Sequence, residues 1–192
     1  QTFEQLQIIF IDDGSVDKSW QILKAYERSD DRIVVLKGNH AGAGAARNLG
    51  MDYACGKYII FLDSDDVFET NMIEEMYQCA AQHQAEVTVC GFDTNMNRHD
   101  SDYVGNMEKL YLSSYSEKLF CLRDLPMNGF WMWGLPPWTK LYELDFLKRN
   151  HLQFQQIQSS NDKYFSVMSM IYASRMIHTL SYKALVHYRT NR

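Results

Sequence analysis

The chain has 192 residues and a formal charge of −5, with 46% hydrophobic and 22% charged residues. That acidic balance excludes the broad basic face that nucleic acid requires, and this length buries a core without disulfide or metal staples. No apolar run approaches the roughly 20 residues that span a bilayer, and the opening Gln1-Thr2-Phe3-Glu4-Gln5 has neither the basic nor the apolar region of a signal peptide. Cys55, Cys79, Cys90 and Cys121 are widely spaced without a CxxC pair. They read as reduced, mostly buried thiols of a cytosolic protein rather than as a zinc site.

Ile8-Ile9-Phe10-Ile11 is apolar on both faces and closes in Asp12-Asp13-Gly14-Ser15, which predicts a buried strand and a turn. Only a few residues precede it, as though the chain opened inside a domain. Trp20, Leu23 and Tyr26 recur at helical spacing, with Asp17 and Ser19 as caps. Ile33-Val34-Val35-Leu36 predicts a second buried strand, residues 38–44 a glycine- and alanine-rich loop, and Ala46, Leu49, Gly50, Tyr53 and Ala54 a helix face. Tyr58-Ile59-Ile60-Phe61-Leu62 predicts a third strand, ending in Asp63-Ser64-Asp65-Asp66. This alternation within about 60 residues is the mark of a parallel sheet with crossover helices. Such sheets place their ligand site at the carboxyl ends of the strands, so the two acidic clusters are expected to face one crevice.

Residues 71–82 predict a helix, with Asn71 and Glu74 set for a capping box. Residues 87–90 predict a fourth strand, residues 93–107 a loop and residues 116–122 a short helix. Residues 129–138 are dense in aromatics and broken by proline, which fits neither a helix nor a central strand. Phe165, Met168, Ile171 and Tyr172 mark a last helix after Asn161-Asp162, and residues 176–189 read as one or two strands. With no repeat, linker or low-complexity tract, residues 1–192 read as one domain.

Three carboxylates at 63, 65 and 66 repel one another unless solvent or a cation screens them. Hard oxygen ligands suit magnesium or manganese, which also bind substrate phosphates; the plainer alternative is an acidic helix start with capping side chains. A carboxylate of Asp12 or Asp13 can accept from a nucleobase N–H or a ribose hydroxyl, although Asp-Gly is also an ordinary turn pair. Gly42-Ala43-Gly44-Ala45-Ala46-Arg47 invites comparison with a dinucleotide fingerprint, with Asp63 about 20 residues on. Arg47 stands where that fingerprint needs its third glycine, and residues 37–41 are long for its turn. Arg47 in a helix's first turn better suits a phosphate or a base edge.

The string IIFIDDGSVD from Ile8 to Asp17, Asn39 with Ala46-Arg47-Asn48-Leu49-Gly50, and GKYIIFLDSDD from Gly56 to Asp66 resemble family 2 glycosyltransferases of the GT-A fold. Trp138-Thr139-Lys140-Leu141-Tyr142 resembles that family's W-x-K-L-Y element, Asn161-Asp162-Lys163-Tyr164-Phe165 its E-D-x-x-F element, and Tyr188-Arg189 its terminal Y-R. The ordered match runs through residues 8–189. It implies an α/β fold with a mostly parallel central sheet and flanking helices, divided near residue 92 into a nucleotide-binding half (1–92) and an acceptor-binding half (93–192). By the same resemblance Asp13, Asp12 and Arg47 contact the nucleotide. Asp63, Asp65 and Asp66 hold ribose and a manganese or magnesium ion, the ion mainly on Asp65 or Asp66, and Asp162 is the catalytic base. His187 stands where some members place a histidine near the metal; a strand histidine with an ordinary hydrogen bond is the alternative. Trp131, Trp133 and Trp138 are candidates to stack on an acceptor sugar; the alternative is that these rings fill a core between loops, which suits Trp138 better than the other two.

Two departures stand out. The family's first strand, with its P-x-Y-N-like ending, has no counterpart here, and Asn161 replaces the usual glutamate before Asp162. The implied activity is metal-assisted, inverting transfer of a sugar from a nucleotide donor, most often a UDP-sugar, to a saccharide or lipid-linked acceptor. A non-catalytic nucleotide- or sugar-binding domain of the same fold is the alternative, supported by the absent strand and opposed by an intact Asp162. A nucleotidyltransferase would also use metal and carboxylates, but not the W-x-K-L-Y element. The implied setting is cytoplasmic, at the inner membrane face where bacterial surface polysaccharides are built, although no basic amphipathic stretch shows how the chain would dock there.

Overall fold

The computed structural model describes residues 1–94, 118–125, 136–179 and 185–188. The first apolar runs form β1 (Ile8–Asp12) and β2 (Ile33–Lys37), which pair in parallel with Ile8 opposite Ile33 and Asp12 opposite Lys37. Helix α1 (Ser19–Ser29) makes the crossover; neither Asp17 nor Ser19 is its N-cap, which is Lys18 without a side-chain capping bond, although the Ser19 N–H donates to Asp17 Oδ1 at 2.9 Å. Ile8 to Ile11 are half-buried rather than buried as the wholly apolar run predicts. The reason is topological: among the described residues β1 has β2 on one side and no strand on the other.

A second sheet runs in the order β3-β7-β5-β8, from β3 (Tyr58–Ile60), β7 (Lys140–Glu143), β5 (Val87–Val89) and β8 (Met176–His178). Strand β7 is antiparallel to both neighbours, whereas β5 and β8 are parallel. A third sheet joins β4 (Val67–Phe68), β9 (Val186–Tyr188) and β6 (Phe92–Thr94), with β9 antiparallel to β4 and parallel to β6. The ladders are thus mixed, because the chain threads β7 between β3 and β5 from the far end. Strand β6 occupies the start of the stretch expected to be loop.

Strand alternation separates the core into two layers. Tyr142, Val87, Val89 and Phe61 pack with Phe146, Leu147, Phe165 and Met170 of α4 (Leu144–Arg149) and α5 (Lys163–Tyr172). Leu141 and Val186 pack on the other side with Trp138 and with Met72, Met76 and Ala80 of α3 (Met72–His83). Within the first layer Phe154 stacks on Phe165 at 3.9 Å, and Phe61 meets both edge-on at 4.8 and 5.6 Å. That cluster fixes the chain just before Asp63 and just after Asp162.

Several local expectations are corrected. The capping box at α3 does not form: the Asn71 amide donates to Glu75 instead, and Glu74 accepts from the Thr2 hydroxyl. Over the described residues 118–122, Phe120 bridges Met176 in extended form, and the helical turn comes later, at Leu122–Asp124. Of the four free thiols only Cys90 is buried, and Cys55 is exposed. Burial pushes the Cys79 thiol up to about 11. Just before β5 the buried Glu86 carboxylate accepts from Ser174 N (2.8 Å), Ser174 Oγ (2.9 Å) and Arg175 N (3.1 Å), and pairs with Arg149. Among the described residues no helix is long and apolar enough to cross a membrane.

Candidate active site

Asp12 ends β1 and is 4% exposed; its Oδ1 accepts from the Ser15 N–H at 2.9 Å, closing an aspartate turn over Gly14, whose φ is +95°. The Asp13 carboxylate accepts from the backbone N–H groups of Ala41 (3.2 Å) and Gly42 (2.6 Å). His40 Nδ1 lies 3.0 Å from the Asp13 carbonyl oxygen. Both aspartates therefore organise the β1 turn and the loop into α2 (Ala43–Tyr53). A carboxylate has about four lone-pair sites, so Asp13 retains room for a further donor.

Helix α2 carries the side chains that join the site. Arg47 donates through Nη2 to Asp63 Oδ1 at 2.6 Å and through Nη1 to Asn161 Oδ1 at 2.9 Å, with its guanidinium 5.4 Å from the Phe154 ring centre. The next residue, Asn48, donates to the Phe154 carbonyl (2.9 Å) and accepts from the Phe154 N–H (2.8 Å). Motifs mark Asn48 and Asn161 but not what they hold, because an asparagine's partner across more than 100 residues leaves no local signal. Among the described residues Asp63 Oδ2 makes no hydrogen bond, which leaves it open to a hydroxyl.

Asp65 and Asp66 lie half-buried in the turn after β3, where the Asp66 N–H donates to the Asp63 carbonyl at 3.3 Å. Among the described residues no three His, Cys, Asp or Glu side chains gather into a ready-made cage. Magnesium and manganese do not demand one, since they bind through one or two carboxylates, substrate phosphates and water. With Asp63 Oδ1 committed to Arg47, the aspartates at 65 and 66 fit that pattern. His187 stands opposite Val67 in the β4–β9 ladder, and its Nε2 lies 2.7 Å from Glu69 Oε1. Glu69 is thus a further acidic neighbour that the sequence motifs do not mark.

Asp162 caps the start of α5 without a side-chain capping bond, and its half-buried carboxylate accepts no hydrogen bond from any described residue. Its charge reaches Lys140 and Tyr142, both fully buried on β7. Burial pulls the Lys140 ammonium down to about 7, with Cys90 and Asp162 acting in the opposite direction. Lys140 Nζ donates to the Pro136 carbonyl at 2.9 Å and to Thr139 Oγ1 at 3.2 Å. Burial likewise pushes the Tyr142 phenol well above its ordinary range, with the nearby Ser169 and Ser166 side chains acting in the opposite direction. Trp138 is 6% exposed and meets Phe92 edge-on at 5.2 Å, so its faces belong to the core and not to a sugar. Trp131 and Trp133 lie outside the described residues.

This arrangement can be set beside known proteins. The sequence model of the family described as Glycosyl transferase family 2 matches residues 1–142. Glycosyltransferase GlyG of Streptococcus pneumoniae is 38% identical over 129 residues, covering 67% of this chain and 40% of that protein. UDP-Glc:alpha-D-GlcNAc-diphosphoundecaprenol beta-1,3-glucosyltransferase WfaP of Escherichia coli is 43% identical over 74 residues, covering 38% of this chain and 29% of that protein. The crystal structure of S. aureus TarS 1-349 in complex with UDP-GlcNAc superimposes with a TM-score of 0.76 at 22% identity, over 97% of this chain and 50% of that one. That likeness shows a shared fold, and the chain spans half or less of the length of each of these three.

Proposed function

The chain belongs to glycosyl transferase family 2 and has the GT-A fold, and from that footing we propose that it transfers a sugar, with inversion, from a UDP-sugar to a saccharide or lipid-linked hydroxyl. In support, the TarS relative of like fold is seen with UDP-GlcNAc. The name of the WfaP relative joins a UDP-glucose donor, a lipid diphosphate acceptor and a beta product. In this reading residues 1–92 bind the nucleotide and residues 93–192 meet the acceptor, with Trp131 and Trp133 as its stacking platforms. A cytoplasmic site at the inner membrane face would give access to such acceptors.

The observation that carries the proposal is the Asp162 carboxylate, half-buried, uncommitted to any described donor, and tied through Asn161 and Arg47 to Asp63. As an acceptor hydroxyl attacks the anomeric carbon it must lose its proton, and Asp162 takes it. Asp63 Oδ2 accepts from the ribose, Asp13 and Asp12 hold the nucleobase side, and Arg47 lends positive charge near the phosphates. Asp65 and Asp66 would hold a manganese or magnesium ion, which when bound neutralises charge on the leaving diphosphate. His187, held by Glu69, is a lesser candidate for that ion.

Replacing Asp162 by Asn tests the reading. We expect UDP affinity and the melting temperature to hold while transfer falls by about 10²- to 10⁴-fold. Near-normal transfer by the folded variant would remove Asp162 from the mechanism. Tight, manganese-dependent UDP binding by the parent chain without turnover of any UDP-sugar would favour the non-catalytic binding domain.

A further inference from the structure

Three residues of α2 grip one short segment on the far side of the sequence. Gly44 has no room for a side chain: a Cβ there would lie 2.1 Å from the Gln155 carbonyl oxygen and 3.2 Å from Asn161 Cβ. Arg47 reaches Asn161, and Asn48 holds both backbone groups of Phe154. Within the segment the Gln155 N–H donates to the Asn161 carbonyl at 3.1 Å, and Ser160 adopts a left-handed φ of +58°. The residue that follows Asn161 is Asp162.

Resting on the transferase reading above, we propose that Asn161 is a positioning residue: through the two-armed guanidinium of Arg47 it sets the placement of Asp162 relative to Asp63. A planar guanidinium spans two acceptors in a fixed fork, which an ammonium cannot do. Arg47 is itself held along its length by α2 and by the Phe154 ring. One arm meets the strand-end aspartate of the donor side, and the other meets the neighbour of the base. An amide oxygen at 161 accepts that second arm without neutralising it, so the charge of Arg47 is answered by Asp63 alone of these two partners. The strut thereby registers the base against the donor while leaving the guanidinium cationic toward phosphate.

The test compares the parent chain with Asn161→Ala and Asn161→Asp. The alanine removes only the Arg47 arm, because the bond from Gln155 uses the Asn161 backbone carbonyl. We expect Asn161→Ala to lower kcat by about 10- to 100-fold, as misplacement of a catalytic group by an ångström does. Its UDP affinity, read by calorimetry with manganese, should stay within about threefold, since the donor contacts are untouched. Asn161→Asp, which restores an oxygen at the same reach but also answers the guanidinium charge, should recover most of the loss in kcat while binding UDP more weakly than Asn161→Ala. A parent-like kcat in Asn161→Ala, or a loss in kcat that Asn161→Asp fails to recover, would overturn the proposal. If the parent binds UDP yet transfers nothing, the transferase reading fails on its own, and amide exchange at Gln155 and Lys163 decides the strut. Faster exchange in Asn161→Ala keeps it, and unchanged exchange removes it.

Discussion

Gly44→Ala is the sharpest single perturbation of the site. Gly44 lies in the first turn of α2 at an ordinary helical position, so only space opposes the methyl group. That methyl would meet the Gln155 carbonyl oxygen at 2.1 Å, where carbon and oxygen ordinarily keep at least about 3.3 Å. A shift of about 1 Å must therefore occur in one of two backbones. The Gln155 peptide resists it, because its N–H is bonded to Asn161 and the preceding residue is held twice by Asn48 and stacked on Phe165. Helix α2 resists it too, because it lies against β1. Overpacking of this kind costs about 1–3 kcal/mol, and alanine's better helix propensity returns at most about 1 kcal/mol. At the upper end of that overpacking cost, a net loss of about 2 kcal/mol predicts a melting temperature lower by about 4–8 °C. Since the displaced segment leads into Asp162, kcat should fall by about 10²-fold. Calorimetric melting and steady-state transfer with a UDP-sugar check the two numbers. A variant that melts like the parent and turns over at the parent's rate would refute the close approach and its bearing on Asp162.

Two further predictions concern charge in the core. The fall of Lys140 from 10.5 to about 7 corresponds to about 5 kcal/mol against its charged form. The unfolded chain holds that proton between pH 7 and 10.5 while the folded chain does not, so stability should rise across this window. Lys140→Met should accordingly gain most over the parent at or below pH 7 and lose that advantage as the pH approaches 10.5; urea unfolding that shows a gap constant from pH 6 to 9.5 would sink the argument. Glu86→Ala leaves the amides of Ser174 and Arg175 without their acceptor, which predicts a loss of about 2–4 kcal/mol at pH 7. Burial works against the Glu86 charge, but the Ser174 and Arg175 contacts outweigh it and hold the carboxyl below its ordinary range. The parent's advantage should therefore be present above the ordinary carboxylate range and fade as the pH falls through it; a deficit of equal size at pH 7 and pH 3 would count against the assignment.

The opening half of the fold was legible because its strands are uninterrupted apolar runs, two of them ending in aspartates, and its helices repeat apolar residues at three and four. Strand β7 was not, since it begins with a lysine and follows prolines and aromatics. Only its insertion between β3 and β5 buries Lys140, and that pairing is a long-range fact. The capping box at Asn71 misled because Glu74 found Thr2, a partner 72 residues away. At the site, motif and order marked Asp63 and Asp162 as residues of interest. The spatial logic that joins them, Arg47 reaching Asn161 and Asn48 clasping Phe154, resides in contacts between α2 and a segment more than 100 residues later. Trp138 illustrates the converse, an aromatic whose surroundings and not its type decide that it belongs to the core.

The lone ladder of β1 and β2 bears on how this protein behaves in concentrated solution. Strand β1 offers four half-exposed aliphatic and aromatic side chains, has no proline or charge among Ile8-Ile9-Phe10-Ile11, and among the described residues borders β2 on one side only. Such an edge is a template on which another backbone can add, and the devices that usually blunt it are absent from those four residues. Repulsion from the formal charge of −5 is the chief opposing force, and salt weakens it. Wherever that edge is left uncovered, dilute, low-salt handling keeps these molecules separate, and crowding or screening invites strand-to-strand association.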